Sequence, residues 1–96
     1  MKLVIKQKAY RAMVEVADWV SAQNTLDAGY KWLDTLESYL LQLAVSQPQY
    51  AICKDPALAV FDYRCFTYND KWLVAYKIIN GKFIVYRFIL GARLNY

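Results

Sequence analysis

The sequence predicts an α+β fold, on three observations from its 96 residues. Apolar residues recur at helical spacing between Gln7 and Pro48. A short strand-like stretch precedes them. Two apolar runs folded about Asn80-Gly81 follow them, KWLVAYKIINGKFIVYRFILGAR from Lys71 to Arg93. The order is strand, two helices, then an antiparallel sheet of three or so strands, in one domain over residues 1–96.

Lys2 to Lys6 sets Leu3, Val4 and Ile5 between lysines, which suits the edge of a sheet. From about Gln7 to Gln23 the period changes, with Met13, Val16, Ala17 and Val20 on one stripe. Asn24 or Thr25 is placed to cap the next helix, with Asp27 in its first turn. That helix carries Leu26, Tyr30, Leu33, Leu36, Leu40 and Leu43 at steps of three and four, and Pro48 stops it. Gln47 to Pro56 reads as a loop. Leu58 to Tyr63 and Arg64 to Tyr68 read as strands, with Asn69-Asp70 as a turn. Asn and Gly both tolerate positive φ, so Asn80-Gly81 suits a two-residue type I′ hairpin.

A type I′ turn fixes the register of its strands. Ile78 then faces Phe83, Tyr76 faces Val85, Val74 faces Arg87 and Trp72 faces Ile89. The opposite surface pairs Leu73 with Phe88, Ala75 with Tyr86 and Lys77 with Ile84, with Leu90 beyond. Both surfaces are apolar, and two helices cover only one. The Trp72 surface is expected against the helices, although Arg87 interrupts it, and the other is expected to be bare. Covering its roughly seven apolar side chains offers on the order of 10–20 kcal/mol gross, against roughly 4–15 kcal/mol for docking a partner. A polypeptide partner is the expected cover. A loop or tail of the chain itself, or self-association, is the alternative.

Composition points the same way. Apolar residues make up 58% of the chain and aromatic ones 17%, more than one small core needs. The charge of +4 fits an acidic partner or a nucleic-acid-bound target and is specific to neither. Cys53 and Cys65 lie outside any CxxC spacing and there is no His, which argues against a metal site. Two reduced cysteines in a cytoplasmic protein are expected rather than a disulfide. Lys6, Lys8 and Arg11 stand where a signal peptide would be apolar, and no run approaches a membrane span.

Without His, Ser-His-Asp and Cys-His arrangements are excluded, and without a Gly-rich run so is a phosphate-cradling loop. No cofactor is expected. The groups left for chemistry or phosphate contact are Arg64, Lys71, Arg87, Arg93 and Tyr96. Taken singly, each is more simply a solvated edge residue or an ion-pair partner of Asp62 or Asp70.

The helical hairpin closing in LLQLAVSQPQ, the segment DYRCF, and the ending Val85-Tyr86-Arg87-Phe88-Ile89-Leu90-Gly91-Ala92-Arg93 together resemble the RelE/ParE superfamily of toxins from bacterial type II toxin–antitoxin systems. The resemblance covers nearly the whole chain. It implies a small toxin, as in plasmid stabilisation, whose sheet packs on a helical hairpin. A cognate antitoxin would wrap it, burying Leu73, Ala75, Ile84, Tyr86, Phe88 and Leu90. Lys71, Arg87, Arg93 and Tyr96 are expected to meet the cellular target. A toxin homodimer or a toxin–antitoxin hetero-oligomer fits this picture.

RelE-like members cut mRNA on the ribosome with clustered Lys, Arg and Tyr side chains, whereas ParE-like members poison DNA gyrase. Laid on the RelE pattern, Arg64 and Arg93 match basic positions, but Phe66 and Leu73 stand where two more belong, and the chain stops at Tyr96. Loss of such groups costs a nuclease several orders of magnitude. The ParE-like reading, gyrase binding without catalysis, is preferred over an endonuclease using Arg64 and Arg93. Leu90, where the family commonly has His, leaves a non-toxic interaction module as a third reading.

Overall fold

A computed structural model describes residues 1–91. It contains β1 (Lys2–Ile5), α1 (Gln7–Gln23), α2 (Leu26–Ser46), α3 (Pro56–Ala59), β2 (Arg64–Tyr68), β3 (Trp72–Ile79) and β4 (Lys82–Leu90). The strands form one sheet in the order β1-β4-β3-β2. The α+β class is as predicted, with β1 at the edge its lysines suit. The sheet is mixed rather than antiparallel, because β1 runs parallel to β4. A helical hairpin between β1 and the remaining strands returns the chain to the end of the sheet from which it started.

The helices pack on one face. Ala9 and Met13 of α1 and Leu36, Leu40, Leu43 and Ala44 of α2 are buried, and with Phe66, Tyr68, Val74, Tyr76, Phe83, Val85 and Phe88 they make the main core. Leu26 and Tyr30 leave the predicted stripe and are 73% and 66% exposed. They precede the point at which α2 reaches the sheet. Thr25 occupies the cap position of α2, but neither its side chain nor that of Asn24 accepts from the helix, and Asn24 donates instead to the Val20 carbonyl. The other end of α2 closes as expected. Gln47 adopts φ 52° and donates its N–H to Leu43, and Pro48 prevents continuation.

Gly29 sets the closeness of the hairpin. A Cβ there would collide with the Ala17 carbonyl oxygen and the Ser21 hydroxyl. The Ser21 hydroxyl could rotate away, whereas the α1 backbone could not without parting the helices. Gly29→Ala therefore costs about 1–3 kcal/mol despite alanine's better helix propensity, measurable as a lowered urea midpoint with an unchanged slope.

The hairpin between β3 and β4 begins in the predicted register, with Asn80 at φ 51° and Gly81 at φ 73°. Four pairs later it shifts. Tyr76 faces Val85 but Ala75 faces Arg87, so Tyr86 is the extra residue of a β-bulge. Val74 now faces Phe88, Leu73 faces Ile89 and Trp72 faces Leu90. This corrects the expected pairings beyond the bulge and removes the conflict they contained. Arg87 moves off the helix-facing row, and Phe88 enters it. Phe88 stacks on Trp72 at 5.1 Å and meets Trp32 edge-on at 6.0 Å.

The second face is not bare, which corrects the expectation drawn from the strands. The chain between α2 and β2 folds over part of it. Cys53 and Leu58 pack with Leu73 and Ala75, flanked by Tyr63, Cys65 and Ile89. The stretch expected as a strand from Leu58 to Tyr63 is instead the one-turn helix α3 and the turn after it. Asp55 explains this: its carboxylate accepts from the Ala57 N–H at 2.8 Å, and Pro56 supplies a preset φ at the first helical position. Cys53 and Cys65 are joined in a disulfide, not reduced. A short antiparallel contact, Ile52 against Arg64, brings them together.

Candidate functional site

The site begins with the shortness of β1. Its four residues pair with Lys82–Val85 only, and the Lys6 N–H makes the last contact with the Val85 carbonyl before α1 departs. On the side away from β3, no strand among the described residues borders the far half of β4, from Tyr86 to Leu90. Alternate backbone groups along that edge are left to accept a further strand. The α1 helix rises beside the gap, and between helix and strand lies a groove of about 950 Å³.

The groove has a sorted lining. Trp72, Phe88, Ile89 and Leu90 supply an apolar floor, and Trp19, 61% exposed, stands at the rim. Lys8 and Arg11 project from α1, and Lys71 and Arg87 from the sheet, against the single carboxylate of Glu15. Among the described residues the charge balance is +3, four cations less one carboxylate. An acidic, partly apolar segment complements such a surface, its charges steering approach and its apolar side chains supplying most of the affinity.

The bulge at Tyr86 builds this site. Without it, Phe88 and Leu90 would face away from the helices and Arg87 would point into the core. With it, Phe88 and Leu90 join Lys71 and Arg87 around one groove. These are two of the residues expected to meet an antitoxin and two expected to meet a target, so the structure draws the two sets together.

The other candidates lie elsewhere. Leu73 and Ala75 are buried beneath the segment before β2, and Ile84 is 9% exposed on the same face. Tyr86 is half-buried, stacked on Tyr63 at 4.8 Å with Lys6 over its ring. Arg64 is held in a structural role: its Nη1 donates to the Tyr50 carbonyl at 2.5 Å. Arg93 and Tyr96 lie outside the described residues. No cluster of three metal-ligating side chains occurs among the described residues.

Lys8, Arg11 and Trp19 were not anticipated. A signal for them exists: with Glu15 they recur every three or four residues, flanking the buried row of Ala9, Met13 and Ala17. Read for its polar side as well as its apolar one, α1 displays a basic ridge ending in an exposed tryptophan.

Neither a family model nor a curated protein sequence matches the chain. Among solved structures it is similar to a chain of the chromosomal ParDE TA (toxin–antitoxin) system from P. aeruginosa. The TM-score is 0.72 at 13% identity, over 94% of this chain and 95% of that one. At that identity the likeness is one of fold, and it extends over nearly the full length of both chains.

Proposed function

We propose that the chain is the toxin of a toxin–antitoxin pair, acting in the cytoplasm and held silent by a cognate antitoxin. An acidic, amphipathic segment of the antitoxin lies in the groove between α1 and the free half of β4. The observation that carries this reading is the groove itself, four cations around an apolar floor beside a strand edge that no described residue pairs. Its setting adds support, since a chain of a ParDE system has the same fold. The antitoxin surface is therefore read as Leu90 with Trp19, over a floor to which the largely buried Phe88 contributes, rather than the covered Leu73 and Ala75.

DNA gyrase, engaged by binding and not by catalysis, is the proposed target. Arg64 supports this choice over mRNA cleavage, because a guanidinium fixed on a backbone carbonyl is poorly placed to stabilise a phosphorane. Induction of the chain alone in bacteria is expected to give filamentation with DNA-damage signalling, relieved by co-expression of the antitoxin. Rapid arrest of protein synthesis would point to an mRNA endonuclease instead. Normal growth at confirmed soluble expression would remove both toxin readings and leave an interaction module.

A further inference from the structure

The segment from Ala51 to Asp62 covers the second sheet face with few fastenings of its own. Cys53 and Leu58 are its only buried apolar side chains, while Ile52, Val60 and Phe61 face solvent. Both ends are tied. The Tyr50 N–H donates to the Tyr76 hydroxyl, the Cys53 N–H to the Tyr63 carbonyl, and the Cys65 N–H to the Ala51 carbonyl. The backbone hydrogen bonds of residues 54–62 close within the segment, at α3 and the turn that follows. What fixes this middle part to the sheet is the Leu58 side chain, the stacking of the solvent-facing Phe61 on Tyr63 at 5.3 Å, and the bond from Cys53 to Cys65.

The structure assigns the Cys53–Cys65 disulfide the role of a redox latch. Oxidised, it holds the segment down over Leu73 and Ala75; reduced, it lets residues 54–62 lift and bares an apolar strip of sheet. The reductant is a dithiol. Its thiolate attacks the sulfur of Cys65, half-buried against 4% exposure for Cys53, and Cys53 leaves as a thiolate. The second thiol of the reductant then resolves the mixed disulfide. In sum, two electrons and two protons pass to the protein sulfurs, and the reductant is left as its own disulfide.

A cross-link closing a loop with its ends 12 residues apart limits the open ensemble by roughly 100-fold. Amide hydrogen exchange of the whole chain, oxidised or treated with dithiothreitol, tests the latch. Reduction is expected to speed exchange over residues 54–62 by about 100-fold, with the β3–β4 hairpin unchanged and more hydrophobic dye bound. Cys53→Ala/Cys65→Ala should match the reduced protein and ignore dithiothreitol. Equal exchange in both redox states would overturn the latch. So would parallel acceleration in the hairpin, which would make the bond a staple of the whole fold, or free thiols after equilibration with glutathione disulfide. The latch rests on the fold alone, so its failure would leave the toxin reading where it stands.

Discussion

Replacing Tyr76 by alanine is expected to remove most of the stability of this protein. The side chain is fully buried at the meeting point of β3, β4 and the exit of α2. Its ring stacks on Phe83 at 4.6 Å and meets Phe66 at 5.7 Å. Its hydroxyl donates to the Pro48 carbonyl at 2.9 Å and accepts from the Tyr50 N–H at 3.2 Å. Loss of a large aromatic from a core costs about 3–5 kcal/mol, and leaving two part-buried backbone groups without their partner adds at most about 1–3 kcal/mol each. Against a typical total of about 5–15 kcal/mol, Tyr76→Ala should show no cooperative thermal transition by circular dichroism. Tyr76→Phe separates the two contributions, keeping the ring and orphaning only the polar partners. An alanine variant that melts within a few degrees of the parent would refute this account of the core.

The same side chain predicts an alkaline limit. Burial pushes the Tyr76 phenol above its ordinary value, opposed by the hydrogen bond from Tyr50 and by the Arg64 guanidinium. Tyr39 is raised as well, chiefly by burial. Below the ordinary phenol value of about 10 both states are neutral and stability is unaffected. Above it the unfolded chain releases its protons first, so stability falls as pH rises. Tyr76→Phe removes one of these groups, and the alkaline loss in urea titrations should become shallower.

The elements that were legible in the sequence are those specified by local rules. α1 has the predicted bounds, Pro48 ends α2, and Asn80-Gly81 forms the expected turn. The failures have non-local causes. A β-bulge carries no compositional mark: Tyr86 is an ordinary strand residue, and only the cost of burying Arg87 hinted that the register must slip. Asp55-Pro56 did announce a helix start, but four residues are too few for a periodic pattern, and aromatic Phe61 and Tyr63 read as strand. The disulfide depends on a return of the chain that spacing does not reveal. The site followed the same division. Phe88, Leu90, Lys71 and Arg87 were picked out for their chemistry but put on different surfaces, because one residue of register decides which face each joins. The basic ridge of α1 carries no apolar period, so the buried stripe of that helix gives no sign of it.

Reversing two charges in the groove is expected to break the proposed antitoxin complex. Arg11 and Arg87 face it from opposite walls, one exposed on α1 and one half-buried at the bulge. Arg11→Glu/Arg87→Glu leaves two cations against three carboxylates and turns a local balance of +3 into −1. An acidic segment would then meet repulsion where it met attraction, at a cost of about 3 kcal/mol or more, equivalent to at least a 100-fold loss of affinity. Most of the loss should lie in the association rate, shrinking as salt is added, because exposed charges act mainly through steering. Trp19→Ala tests the apolar half of the interface. An exposed tryptophan that becomes buried on binding commonly costs about 2 kcal/mol when truncated; this loss should appear in dissociation and persist in salt. The probe is an acidic, amphipathic antitoxin segment of the proposed kind, with affinity read by calorimetry and folding by circular dichroism. On the toxin reading, both variants should escape the proposed antitoxin in cells and slow growth during co-expression. If the doubly reversed protein folds and still binds its partner at low salt with undiminished affinity, the groove is not where the antitoxin lies.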